Sequence, residues 1–221
     1  MTGPGPHSDT GLPEFLGGPT EADDIGAPQR AEKPPTGHIP GEAGLWIFIL
    51  GDMTLFAAIM LVFLWDRRAQ PEVFTQSAHQ LLQPIGAINT LVLLLSSYLV
   101  VRALAAHRAG KYAAARKSVA CAIGCAAVFA GLKAVEYTSE ITAGHTPASG
   151  IFFTFYFVLT GLHLLHVVIG SALLLAWQNM LKRGRPWVRA RGLVEGIASY
   201  WHMVDLLWVA IFALVYLVSA E

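Results

Sequence analysis

An all-α fold, a polytopic bundle of five transmembrane helices with a cytoplasmic N-terminus and a periplasmic C-terminus, is predicted by three observations. The 221-residue chain is 54% hydrophobic and only 14% charged, far from the mixture of a soluble domain. Five apolar stretches follow one another after Gly41, each long enough to cross a bilayer. The basic residues between them fall mostly on one side of an odd-numbered topology.

The first element is a tail. Residues 1–42 are rich in Pro and Gly, carry more acids than bases and show neither helical nor strand periodicity. Such a segment buries too little apolar surface to offset its chain entropy. It has no positively charged start, apolar centre and small-residue cleavage site of a signal peptide, so it is expected to be a retained, disordered cytoplasmic tail. Residues 43–221 are then the membrane domain.

The five stretches run at about 44–65, 84–106, 118–139, 151–180 and 196–219. A helix rising about 1.5 Å per residue needs about 20 residues to cross a hydrocarbon core of about 30 Å. Backbone amides in lipid must be satisfied within the segment, which makes helices of all five. The fourth exceeds that length and is expected to tilt or to extend into one interface.

Loop charge sets the orientation. Arg108, Lys111, Arg116 and Lys117 lie between the second and third stretches, and Lys182, Arg183, Arg185, Arg189 and Arg191 between the fourth and fifth. Arg30 and Lys33 add to them from the tail, against Arg67 and Arg68 on the other side. Four or six spans would split the two basic loops or break an apolar run, so five spans fit the positive-inside rule. With no net charge and no basic surplus, no nucleic-acid partner is expected.

The third stretch carries small residues four apart, Ala120 with Gly124 and Ala127 with Gly131, and is expected to pack closely on a neighbour within the bundle. Cys121 and Cys125, one helical turn apart, read as small packing residues, since no second Cys or His pair stands nearby to complete a tetrahedral metal set.

Ionisable side chains within a bilayer cost about 2.5–3.5 kcal/mol each at a helix centre, so each needs a reason. The set is Asp52, Lys133, Glu136, His163, His166, His202 and Asp205. Chain direction puts Asp52, His202 and Asp205 in the cytoplasmic half and His166 near the middle, where they are expected to meet in one buried layer. Glu136 falls nearer the outer surface with Lys133 one turn away as its ion-pair partner. His163 and His166 share a helix face, as do His202 and Asp205.

Three readings of this set remain open on chemistry alone. Three histidines with carboxylates are the residue types of a zinc, copper or haem-iron site. Asp52, Asp205 and the histidines are also those of a proton or ion path. The third reading has these groups hydrogen-bond one another, backbone carbonyls and lipid headgroups, which fixes helix register. No nucleophile elbow, Walker loop, CxxC pair or HExxH motif is present to support soluble-type catalysis.

The segments "LTGLHLLHVVIGSALL" and "YWHMVDLLWVAIFALVYL" resemble the two signature segments of subunit III of the haem-copper oxidases. "LKAVEYT" is similar to that family's Glu-Tyr segment, "INTLVLLLSSY" to its Asn-Thr helix and "GLWIFILGDMTLFA" to its first conserved helix. The resemblance runs in order over about residues 43–219. It implies a subunit without redox cofactors of its own, not catalytic alone, that packs beside a haem-copper catalytic subunit and other respiratory-complex subunits in the bacterial inner membrane. Structural phospholipid is implied between its helices, with haem and copper held by the partner.

The resemblance also implies roles for particular residues. The position of Asp52 is usually Glu in cytochrome oxidases, the buried acid associated with carbodiimide labelling and proton uptake; the Asp here keeps the acid on a shorter side chain. Glu136, His163, His166, His202 and Asp205 match family positions that are not metal ligands, and with Asp52 they are implied to form a buried polar network or to touch lipid. Five spans rather than seven, and the entry "PGEAGLWIFILGDM", look most like the accessory subunits associated with nitric oxide reductases; subunit III of an aerobic cytochrome c or quinol oxidase is the second reading. A stand-alone proton or solute transporter is the rival of another class, but the spans show no repeat and no pair of Gly/Pro-interrupted helices.

Overall fold

The computed structural model describes residues 43–81 and 83–218. The tail at 1–42 lies outside them. Among the described residues all regular structure is helical. Five helices are long and apolar enough to cross a membrane: α1 (Ala43–Ala69), α3 (Gln83–Arg108), α4 (Tyr112–Thr142), α5 (Ile151–Lys182) and α6 (Trp187–Phe212), the last prolonged by a π-helical turn at Ala213–Leu217. The first four predicted spans lie on α1, α3, α4 and α5, and the fifth follows α6 and its π turn as far as Leu217.

A short helix, α2 (Pro71–Ala78), joins α1 to α3 and was not legible as a span. Pro71 opens it and Glu72 sits in its first turn, where an acid favours the helix N-terminus. Phe74 is fully buried, edge-on to Phe63 of α1 at 5.1 Å and to Phe152 of α5 at 5.7 Å between ring centroids. The connection is thereby clamped to two spans.

The two basic loops are shorter than the sequence suggested, because α3 runs on to Arg108 and α6 starts at Trp187. Lys and Arg are good helix formers and their long stems let the charge reach water from within a helix. Each turn closes on a glycine in the left-handed region, Gly110 (φ 70°) and Gly184 (φ 63°). The amide of Lys111 reaches back to the Ala106 carbonyl at 2.9 Å and that of Arg185 to the Met180 carbonyl at 3.1 Å, the six-to-one bond of a Schellman ending.

Helix α6 packs on α3, α5 and α1, while α4 packs on α3 and α5. Its buried surface carries the large side chains: Trp201, Trp208 and, past the π turn, Tyr216 are fully buried. In lipid there is no hydrophobic drive between apolar helices, so close packing and interhelical hydrogen bonds must hold them together. Both are present. Trp201 lies against Gly170 of α5, where an added Cβ would stand 2.7 Å from its Cε3. Its indole N–H donates to Ser96 Oγ at 3.1 Å, and Ser96 donates onward to the Ala122 carbonyl of α4 at 3.2 Å. One residue thus ties α3, α4 and α6 together.

The small-residue expectation for α4 needs correction. Ala120, Gly124, Ala127 and Gly131 lie on the exposed side of α4, and among the described residues nothing comes within 4 Å of a Cβ built on either glycine. The face turned into the bundle is instead Ala115, Val119, Ala122, Ala126 and Phe129. Both faces repeat at helical spacing and both are rich in alanine, so the small-residue spacing alone could not tell inward from outward.

Candidate functional site

Polar side chains occur in levels along the bundle. At the first level Asp52 of α1 meets His166 of α5, Oδ1 to Nε2 at 3.1 Å. The other ring nitrogen, Nδ1, stands 2.7 Å from the Leu162 carbonyl, which can only accept, so Nδ1 carries a proton. A single further proton then lies between Nε2 and Oδ1. The contact is a carboxylate facing an imidazolium or a carboxylic acid facing a neutral imidazole, and either form is uncharged as a pair. That is how two ionisable groups are tolerated at this depth. Phe56 sits edge-on to the imidazole at 5.5 Å, and the Tyr200 hydroxyl donates to the His166 carbonyl at 3.4 Å.

His202 and Asp205 do not bond to that pair. His202 Nδ1 is 2.7 Å from Ser97 Oγ of α3. Asp205 lies beside Ser97 on the same interface, between Trp201 and Trp208 along α6, and neither of its carboxyl oxygens has a hydrogen-bond partner within normal distance. His163 shares its helix face with His166 but has other neighbours. Its ring lies 5.1 Å from that of Trp208 and 5.5 Å from that of Phe129, with neither nitrogen hydrogen-bonded.

Glu136 has the richest surroundings. Lys133 Nζ donates to its Oε2 at 3.0 Å, as the sequence led one to expect, and both side chains are fully buried. Tyr156 donates to Oε1 at 2.8 Å and Tyr216 donates to the same oxygen. The ammonium also reaches both tyrosine hydroxyls at 3.2 Å and lies over the rings of Tyr156 at 4.8 Å, Tyr137 at 5.0 Å and Trp208 at 5.4 Å. Ring faces and an opposite charge together replace the water that a lysine loses on burial. The π turn at Ala213–Leu217 carries Tyr216 into this nest; an inserted residue of that kind re-aims a side chain.

Among the described residues no three His, Cys, Asp or Glu side chains gather as a metal-binding set. The arrangement can hold protons, satisfy buried donors and fix helix register. A match to the family model described as cytochrome c oxidase subunit III covers residues 39–220, nearly the whole chain.

The chain belongs to the cytochrome c oxidase subunit III family.

Curated relatives agree. Cytochrome c oxidase subunit 3 of Thermostichus vulcanus is 28% identical over 181 residues, covering 80% of this chain and 86% of the relative. That of Prototheca wickerhamii is 31% identical over 180 residues, covering 78% and 67%. Cytochrome bo(3) ubiquinol oxidase subunit 3 of Pseudomonas aeruginosa is 29% identical over 188 residues, covering 80% and 84%. With five apolar spans, this member of the subunit III family is a multi-pass membrane protein.

Sequence reasoning missed a cluster at the end of the bundle where α5 turns into α6. His107 is fully buried there, its Nε2 3.1 Å from the Arg185 carbonyl and its Nδ1 accepting from the Trp177 indole at 3.2 Å. These partners assign the ring as neutral with the proton on Nε2. Glu195 nearby receives Arg108 at 2.9 Å and Arg191 at 3.2 Å, and Arg108 also lies over the Trp187 ring at 5.1 Å. At a helix end such residues read as loop charges, and nothing in spacing marks them. Tyr156 and Tyr216 were missed too. Their signal was present, because a tyrosine deep in an apolar span needs a partner for its hydroxyl.

Proposed function

We propose that this chain is the subunit III component of a respiratory haem-copper oxidase of the bacterial inner membrane, noncatalytic alone, that supports assembly, stability or turnover of the catalytic subunit. Two readings of the partner were open from sequence. The relatives named above are subunits of cytochrome c and quinol oxidases, which favours an oxygen-reducing partner over the nitric oxide reductase type.

The observation that carries the noncatalytic role is the pairing of Asp52, Glu136 and His202 with neighbouring side chains of the bundle. Asp52 is matched to His166, Glu136 to Lys133 and two tyrosines, and His202 to Ser97, each pair joining residues of the bundle rather than lining a shared chamber. Asp52, Glu136, His163, His166, His202 and Asp205 are assigned to register and packing in this reading. The orientation that suits the basic loops has the N-terminus in the cytoplasm and the C-terminus in the periplasm. Haem and copper belong to the partner. A structural phospholipid is assigned to the apolar cleft of about 330 Å³ lined by Gly44, Leu45, Leu173, Gly196, Ile197 and Tyr200.

The test is purification of the tagged chain from its native membrane in mild detergent, with mass spectrometry of co-purifying chains and a reduced-minus-oxidised optical spectrum. Haem-bearing oxidase subunits in stoichiometric amount are expected. A nitric oxide reductase subunit in their place would reinstate the first partner reading. A chain that emerges alone and colourless would overturn the subunit reading and favour transport, to be followed by ion flux in liposomes.

A further inference from the structure

Among the described residues two buried ionisable side chains, His163 and Asp205, make no hydrogen bond through any polar atom. His163 is fully enclosed, with the rings of Phe129 and Trp208 against it. Asp205 differs, because the interface beside it carries polar groups that lead to the surface. Ser97 of α3 faces its carboxyl. The Ser97 hydroxyl lies 2.7 Å from His202 Nδ1, and the His202 ring is partly open on the outside of the bundle.

Depth grades these groups. Glu195, bound to the half-exposed Arg108 and Arg191, marks the boundary at the basic end of the bundle. His202 lies two helical turns beyond Glu195, about 10 Å at about 1.5 Å per residue, and Asp205 about 5 Å deeper. Water and headgroups reach a polar side chain at the first depth, whereas Asp205, enclosed near the middle of a core about 30 Å thick, lies beyond them. A carboxyl in such a place is neutral when it holds a proton and uncompensated when it does not, so its charge depends on what can bring the proton.

We propose that His202, Ser97 and Asp205 form a proton relay, in which a proton from the aqueous side of the basic end enters at His202 Nε2 and is held at the Asp205 carboxyl. An imidazole can take a proton on one nitrogen and give one from the other, and a hydroxyl both accepts and donates. Nε2 gains the incoming proton, Nδ1 passes its own to Ser97 Oγ, and the Ser97 hydroxyl proton goes to an Asp205 oxygen after a small turn of the carboxyl or through one water. Imidazole and hydroxyl end neutral, with the ring in its other tautomer, and one carboxylate has become a carboxylic acid. The other helices packed on α6 present different groups: His163 of α5 stands 5.1 Å from the Trp208 ring, and His166 of α5 is bonded to Asp52 of α1. The relay adds to the register role assigned above and does not depend on which oxidase subunit is the partner.

The test is infrared spectroscopy of the protein purified from its native membrane with its co-purifying chains, at each pH at which it stays folded. Asp205→Asn is expected to remove one carboxylic carbonyl band, which in the parent shifts when D2O replaces water. Loss of no such band at any pH would overturn the holding site. Thr and Val have nearly the same shape and differ in the hydroxyl, so they separate proton transfer from packing. Ser97→Val is expected to slow the shift by about a hundred-fold or more, the scale on which a positioned proton-transfer group acts, while Ser97→Thr keeps it near the parent rate. Equal rates in the two would overturn the role of Ser97.

His202→Gln can still hydrogen-bond to Ser97 but cannot pass a proton from one nitrogen to another. It is expected to slow the shift as Ser97→Val does, and exchange at the parent rate would overturn entry through His202. Should both Ser97 variants fail to fold, the cause is packing and the His202→Gln rate decides alone.

Discussion

Asp52 Oδ1 and His166 Nε2 stand 3.1 Å apart and join α1 to α5 by a contact that holds one proton. It matters for α1, many of whose large side chains are widely exposed: Ile47, Phe48, Leu50, Leu55, Leu61, Val62 and Trp65. Phe56, Phe63 and Ile49 are buried against the bundle, Phe48 stacks on Tyr200 at 6.4 Å and Leu45 lies against Gly196.

Asp52→Leu and His166→Leu are each expected to lower stability, because each leaves a buried polar group unpaired at about 1–3 kcal/mol. A double-mutant cycle on the detergent-solubilised protein, read by thermal unfolding, is expected to give a coupling of about 0.6–2 kcal/mol. Strict additivity would show that the pair does not hold α1.

Lys133→Met strands Glu136 in the bundle and is expected to cost about 3–5 kcal/mol, the range for breaking a buried pair from one side. The double variant Lys133→Met with Glu136→Leu is expected to be more stable than Lys133→Met alone. Folded yield and thermal midpoint of the two, measured side by side, check the order.

Gly170 and Gly131 form a matched pair. At Gly170 a methyl would press on the Trp201 ring, whereas at Gly131 nothing among the described residues lies within 4 Å. Gly170→Ala is expected to destabilise by about 1–3 kcal/mol through overpacking. Gly131→Ala is expected to be neutral or to stabilise by up to about 1 kcal/mol through helix propensity. Equal melting points for the two variants would refute the close approach.

His107→Leu leaves the Trp177 indole and the Arg185 carbonyl without their shared partner, at about 1–3 kcal/mol for each group left unsatisfied. The loop at 183–186 is then held less firmly. Trypsin is expected to cut at Lys182 or Arg183 sooner than in the parent protein, with the band pattern on a gel as the readout.

Fold class was legible because hydrocarbon thickness and backbone satisfaction leave few alternatives to five helices for five apolar runs of this length. Periodicity also exposed the residues needing an explanation, and the i, i+3 spacing of Lys133 and Glu136 identified a true ion pair, since neighbours on one helix are set by local geometry. Pairing between helices was not legible. Asp52 found His166 while His202 turned to Ser97, although depth along the membrane allowed either match. Rotation of each helix about its own axis decides such contacts, and that rotation follows from side-chain packing over the whole bundle.

The amino-acid sequence by itself determined the five spans, the family and the short roster of intramembrane polar residues, because bilayer thickness and the cost of buried charge act on each segment separately. Tertiary structure alone decided that the small-residue face of α4 looks outward, that Tyr216 reaches Glu136 through a π turn, and that His202 opens onto the lateral surface. Each of those depends on how one helix is turned against the others, a property of the packed bundle that no single segment carries.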